Sequence, residues 1–169
     1  MRQLRDVAVT VLTLAVLGVL AGLIWSLVAP RAPYVSTPEG AQLADPSTQA
    51  LIAADGWFAV ITGVAGLVCG VLAYVLGRQR LLILLGLTGG SILAAWLARW
   101  TGGAVSFGTA AVSASGATAA VVPGALRLTA TGVVTTWPLL AVAAFGVLMG
   151  VNVYRDPPRR AETPADPED

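Results

Sequence analysis

From position 7 to position 29 the chain carries no charged side chain, an unbroken run of 23 residues. As a helix rising about 1.5 Å per residue, it is long enough to cross the roughly 30 Å hydrocarbon core of a bilayer. No small water-soluble core could cover so long an apolar helix on every side. Pro30 then stops it. Arg2 and Arg5 resemble the basic start of a secretory signal. The apolar run is too long for an ordinary signal core and no small-x-small cleavage site follows, so it reads as a retained first span.

Composition extends this reading to the whole chain. Hydrophobic residues make up 56% of it, charged residues only 11%, and the mean hydropathy is +0.79. Such values lie beyond ordinary soluble usage. Three further spans are predicted at residues 57–77, 81–100 and 137–154, joined by extracytoplasmic loops at 30–56 and 101–136. A charged, Pro-rich tail at 156–169 reads as disordered. Asp55 is expected to be the N-cap of the second span. The three-residue turn Arg78-Gln79-Arg80 forces the third span to return antiparallel beside the second, and Pro138 suits the first turn of the fourth. The predicted fold is therefore an all-α integral membrane protein of four transmembrane helices.

Two patterns orient it. With both termini in the cytoplasm, Arg2, Arg5, Arg78, Arg80, Arg155, Arg159 and Arg160 lie inside, against Arg31, Arg99 and Arg127 outside. All five tryptophans, Trp25, Trp57, Trp96, Trp100 and Trp137, then fall at the outer ends of their spans as an interfacial belt, with Tyr74 and Tyr154 at the inner ends. The predicted location is the plasma membrane.

The uncharged Gly-, Ala-, Ser- and Thr-rich stretch 101–126 reads as an outer segment. A fifth span would move the basic tail outside, and a re-entrant segment is the remaining alternative. Beyond it, Leu126-Arg-Leu-Thr-Ala-Thr alternates like a strand, and Val122-Pro-Gly-Ala has the order of a type II turn. A second, smaller hairpin is expected within residues 33–43, and the two hairpins together would form a small cap. The alternative is a pair of loops with no joint structure.

Every span carries a GxxxG: Gly18 with Gly22, Gly66 with Gly70, Gly86 with Gly90, and Gly146 with Gly150. In the second span the small-residue stripe also includes Gly63, Ala73 and Gly77, and in the third Ala94 and Ala98, so these two stripes are expected to meet each other. Packing within the bundle is the simpler use of such faces; an oligomer or partner interface is the functional one.

The chemistry available is sparse. There is no histidine and a single cysteine, so disulfide frameworks, zinc sites and histidine-dependent catalysis lack raw material, and no cofactor or metal is expected. No nucleophile-base pair or phosphate loop is present, which makes an enzyme unexpected. No titratable group lies deep in a span, which disfavours ion pumping. Asp55 and Arg99 are the polar candidates: Arg99 at the outer interface reads as an anchor that snorkels to water or pairs with Asp55, Asp45 or Glu39. Thr88, Ser91 and Asn152 are the main polar side chains inside the third and fourth spans, and Cys69 reads as a small packing residue.

Leu27-Val-Ala-Pro30, Ile52-Ala-Ala-Asp-Gly-Trp-Phe58 and Gly132-Val-Val-Thr-Thr-Trp-Pro-Leu139 resemble segments of small uncharacterised actinobacterial membrane proteins. The resemblance implies the same four-span layout with outer loops and carries no active residues, the family being a domain of unknown function. The leading expectation is a non-catalytic accessory, assembly or scaffold subunit of an envelope complex. Its partners would be the lipid bilayer and another membrane protein or a second copy, with no nucleic acid. The alternative is a transporter or channel component for a neutral or amphipathic solute, with Thr88 and Ser91 lining a path.

Overall fold

The computed structural model describes residues 2–37, 40–77, 80–116 and 121–155. The tail expected to be disordered, 156–169, lies outside them, as do Arg78 and Gln79 of the basic turn. In chain order the elements are α1 (Arg2–Val28), β1 (Pro33–Thr37), β2 (Gly40–Leu43), α2 (Ala50–Leu76), α3 (Arg80–Gly116), β3 (Val121–Pro123), a 3-10 helix (Thr131–Thr135) and α4 (Thr136–Arg155). Four helices are long and apolar enough to cross a membrane. Large apolar side chains lie exposed along all four, Leu27, Val75, Leu81 and Leu139 among them, as expected where lipid is the solvent. This is a multi-pass membrane protein.

Close backbone approaches define the packing. Gly18 and Gly22 of α1 lie directly against the backbone of Ala94 and Ala98 of α3, and a β-carbon on Gly90 would come 2.6 Å from Leu14. Position numbers rise together along both helices, so α1 and α3 run parallel. On the other side a β-carbon on Gly66 would lie 2.6 Å from the Trp137 carbonyl oxygen, and Gly70 packs against the backbone of Ala141, so α2 and α4 are parallel too. The α1–α3 and α2–α4 contacts are by far the largest between elements. Trp25, near the end of α1, touches the start of α2, so the two pairs run in opposite directions. The start of α1 and the end of α4 therefore share one end of the bundle.

This overturns the expectation that the small-residue stripes of α2 and α3 face each other. Those two helices meet only lightly, although Gly77 at the end of α2 reaches the Ile83 side chain. The stripe of α2 faces α4, where Gly63 meets Leu140 and Thr136; that of α3 faces α1, with Gly86 in ordinary contact with Val7 and Thr10. Each glycine face lets a partner's backbone come close: Gly18 and Gly22 admit Ala94 and Ala98, and Gly66 and Gly70 admit Trp137 and Ala141. Gly146 and Gly150 differ from the rest. A β-carbon at either meets nothing within 4 Å, so this fourth GxxxG does not pack inside the chain.

The loop expected over 101–136 is also corrected. α3 continues through it to Gly116, 37 residues in all, so most of the Gly- and Ala-rich stretch extends an existing helix and forms no separate fifth span. Helix-weak glycines are tolerated there because Gly102 lets the Trp25 ring and the Gly22 carbonyl approach α3. The hairpin of β1 and β2 forms as expected, with Tyr34 opposite Leu43 and Thr37 opposite Gly40. β1 also pairs antiparallel with β3, Tyr34 opposite Val122, in a three-stranded sheet of order β2-β1-β3 that joins the two loops. The second hairpin is absent: residues 126–130 form no strand. Gly124 does not adopt the left-handed backbone a type II turn requires. Its N–H donates to the Ala32 carbonyl at 2.9 Å, and a β-carbon there would strike the Tyr34 ring.

Candidate functional site

Three of the buried polar side chains, Ser26, Asp55 and Ser106, lie toward the end capped by the sheet, while Thr62 and Ser91 are buried deeper in the bundle. α2 starts at Ala50, seven residues before the predicted boundary, so Asp55 sits inside the helix and is not its N-cap. The helix is instead preceded by Gln49, and Thr48 Oγ1 accepts the Ala50 N–H at 3.3 Å. Asp55 is 7% exposed and turns its carboxylate to the descending chain: Oδ1 accepts the Thr129 N–H at 3.1 Å and Oδ2 the Ala130 N–H at 2.8 Å. Beside it the buried Ser106 hydroxyl of α3 accepts the Leu126 N–H at 3.1 Å. These acceptors explain the missing strand, since side chains take the backbone donors a strand partner would have used.

Residues 124–135 run along α2 toward the bundle's middle before α4 begins. Trp137 lies against Gly66, whereas Trp25 bonds at the level of Ala54. Twelve positions of α2, from 54 to 66, separate the two levels, about 18 Å along the axis. Irregular backbone at such depth is tolerated only where protein satisfies it. Asp55, Ser106 and the 3-10 turn do so; within that turn the Val133 N–H donates to the Ala130 carbonyl at 3.1 Å. Asp55 thus acts as a two-pronged cap for a chain 74 positions away.

The tryptophan belt divides. Trp57, Trp96 and Trp100 are exposed at 45, 61 and 67%, as interfacial indoles would be. Trp25 and Trp137 are core residues at 1 and 0%. The Trp25 Nε1–H donates to the Ala54 carbonyl at 2.8 Å, and its ring meets Phe58 edge-on at 5.2 Å. The Trp137 Nε1–H is buried without a hydrogen-bond partner. Trp137 leaves the predicted belt because α4 starts halfway down the bundle, not at the end capped by the sheet.

Arg99 does not pair with Asp55, whose oxygens are taken by backbone donors. It lines an open groove of about 400 Å³ with Trp96, Trp100, Gly103 and Ala104. Glu39 lies outside the described residues. Asp45 is occupied locally: its Oδ1 accepts the Ser47 hydroxyl at 2.6 Å and the Ser47 N–H at 2.8 Å, which hold this exposed carboxyl below its usual pKa. Arg31 donates from Nη2 to the Ser26 carbonyl at 3.2 Å, closing the last turn of α1.

The polar residues proposed for a solute path are occupied. Thr88 Oγ1 donates to the Leu84 carbonyl at 2.8 Å and Ser91 Oγ to that of Thr88 at 3.0 Å, with Ser91 fully buried. Cys69 is buried among apolar neighbours. Among the described residues no cluster of three or more metal-ligating side chains occurs. Sequence reasoning missed Ser106 as a structural acceptor and Trp25 as an interhelical donor. For Trp25 a signal existed in its position one turn from the end of α1; for Ser106, one of many serines and threonines in its stretch, none did. Comparison with family models, with curated proteins and with solved structures returns no match.

Proposed function

We propose that the chain is a non-catalytic accessory, assembly or scaffold subunit of a cell-envelope complex, held in the plasma membrane with both termini in the cytoplasm. The observation that carries this reading is the open face of α4. Three of the four GxxxG pairs touch neighbours within the chain, while Gly146 and Gly150 face open space on the least buried span. A second helix could approach this backbone closely without displacing anything. The arginine asymmetry supports the orientation, and the resemblance to small actinobacterial membrane proteins stays with this proposal.

A photo-crosslinker placed at Val147 or Val151, beside the open glycines, should yield a discrete protein adduct in native membranes. One at Leu12 of α1 should yield none. Equal labelling of both faces, or a chain migrating alone in mild detergent with no adduct, would refute the proposal. For orientation, Cys69→Ala chains bearing Ser47→Cys or Ser115→Cys should label from outside the cell, and Gln79→Cys should not.

A further inference from the structure

The groove around Arg99 has the make-up of a site for one lipid. Arg80 and Arg99 lie on the same helix, and from position 80 to position 99 α3 rises about 28 Å, close to one hydrocarbon thickness. Arg80 lies over the Tyr74 ring at 5.6 Å, an aromatic-cation pair at one end of the span. At the other end Arg99 stands between exposed Trp96 and Trp100, indoles of the kind that favour headgroup depth.

The face is turned away from the rest of the protein. Ala94, Ala98 and Gly102 take the contacts with α1, while Trp96, Arg99, Trp100 and Gly103 lie on the other side of α3. A β-carbon on Gly103 or on Gly89 would meet nothing, so the strip is notched above the arginine and again below the indoles. Between the notches Ile92 and Leu93 are exposed and apolar. The lining carries one cation and no acidic side chain. A monoanionic phosphate ester with acyl chains complements each part: phosphate on the guanidinium, glycerol between the indole edges, and a chain along Ile92 and Leu93 to Gly89.

We infer that the Trp96–Arg99–Trp100–Gly103 groove holds the phosphate headgroup of one anionic phospholipid, taken from the leaflet at the capped end of the bundle. Arg127, the other exposed cation there, is not among the groove's lining residues and serves as a control.

The test uses the full chain, delipidated in mild detergent, with native mass spectrometry after adding phosphatidylglycerol or phosphatidylcholine of identical acyl chains. One phosphatidylglycerol per chain should bind with about a tenfold preference, the scale of one charge-assisted hydrogen bond. Arg99→Gln should abolish the preference, Arg99→Lys should keep part of it, and Arg127→Gln should leave it intact. In the wild type, brominated phosphatidylglycerol should quench tryptophan fluorescence more than brominated phosphatidylcholine, and Trp96→Phe with Trp100→Phe should remove the difference. Equal binding of the two lipids by the wild type overturns the inference, as does a preference that survives in Arg99→Gln. Competition by soluble glycerol phosphate would assign the site to a free anion, and a dimer that excludes the lipid would assign the face to a second copy; either result overturns it too.

Discussion

The α1–α3 and α2–α4 pairs use the same device, glycines on one helix against a partner's backbone, and place it differently. In the first pair the helices run side by side along the length of α1, and Trp25 closes their upper end through a bond to Ala54 and a ring set over Gly102. In the second, α4 joins α2 only halfway down, and Trp137 lies at the junction with its indole N–H unpartnered. The pairs thus place two equally buried indoles in opposite polar circumstances. Glycine faces supply affinity between helices, but where a helix begins depends on what satisfies the chain leading into it. For α4 that is Asp55.

Overpacking should separate the faces most strongly. Gly22→Leu and Gly70→Leu each force a side chain into a neighbouring backbone and should cost about 3 kcal/mol or more, the upper range for overpacked sites. Gly146→Leu should leave the isolated chain within about 0.5 kcal/mol of wild type, as at a free surface. Thermal or SDS unfolding in detergent reads all three, and comparable losses at Gly146 and Gly70 would erase the distinction between closed and open faces.

Next in size is the cap on the descending chain. Asp55→Ala leaves the Thr129 and Ala130 N–H groups without acceptors and should cost about 2–4 kcal/mol, while Asp55→Asn, which keeps one carbonyl oxygen, should cost about half as much. Hydrogen exchange at residues 126–135 should accelerate in both, ahead of any change in α1 and α3. Simultaneous loosening of both helix pairs would show that Asp55 holds the whole bundle and not α4 alone.

The two indoles offer a smaller, cleaner contrast. Trp25→Phe and Trp137→Phe remove similar volume, so their difference reports on the N–H. Trp25→Phe should be the more destabilising by about 1–2 kcal/mol, because one loses a made hydrogen bond and the other relieves a buried donor of its unmet need. Equal costs would mean that the Trp137 N–H is satisfied in the membrane.

The smallest effect belongs to the loop joining the sheet to α2. The Ser47 hydroxyl and N–H lower the Asp45 pKa in the folded chain, so its contribution is present above the unfolded carboxyl value, near 4, and fades as pH falls through the folded value. Protection of the Ser47 amide, taken relative to its intrinsic exchange rate, should fall only in acid, and Asp45→Asn should flatten that dependence.

Four spans and their approximate positions were legible because an apolar run about 20 residues long has few uses other than crossing lipid, whatever its neighbours are. α1 and α4 fall close to their predicted limits for that reason, and the 33–43 hairpin was readable from its turn residues. Asp55 and Arg99 stood out because charges are scarce beside such runs. Helix pairing was not legible: four GxxxG motifs present similar faces, and which ridge fills which groove depends on side chains far apart in sequence. The same limit hid the extension of α3, where Gly102 meets Trp25 and Ser106 meets Leu126, both far away in sequence. It also hid the descent of residues 124–135, stable because Asp55 and Ser106 meet their donors from other helices. Local hydropathy is a property of a segment and its solvent, so the residues alone determined that this chain enters a membrane. Backbone satisfaction and close packing are properties of pairs of segments, so only the tertiary structure decided which helices join and where the fourth begins.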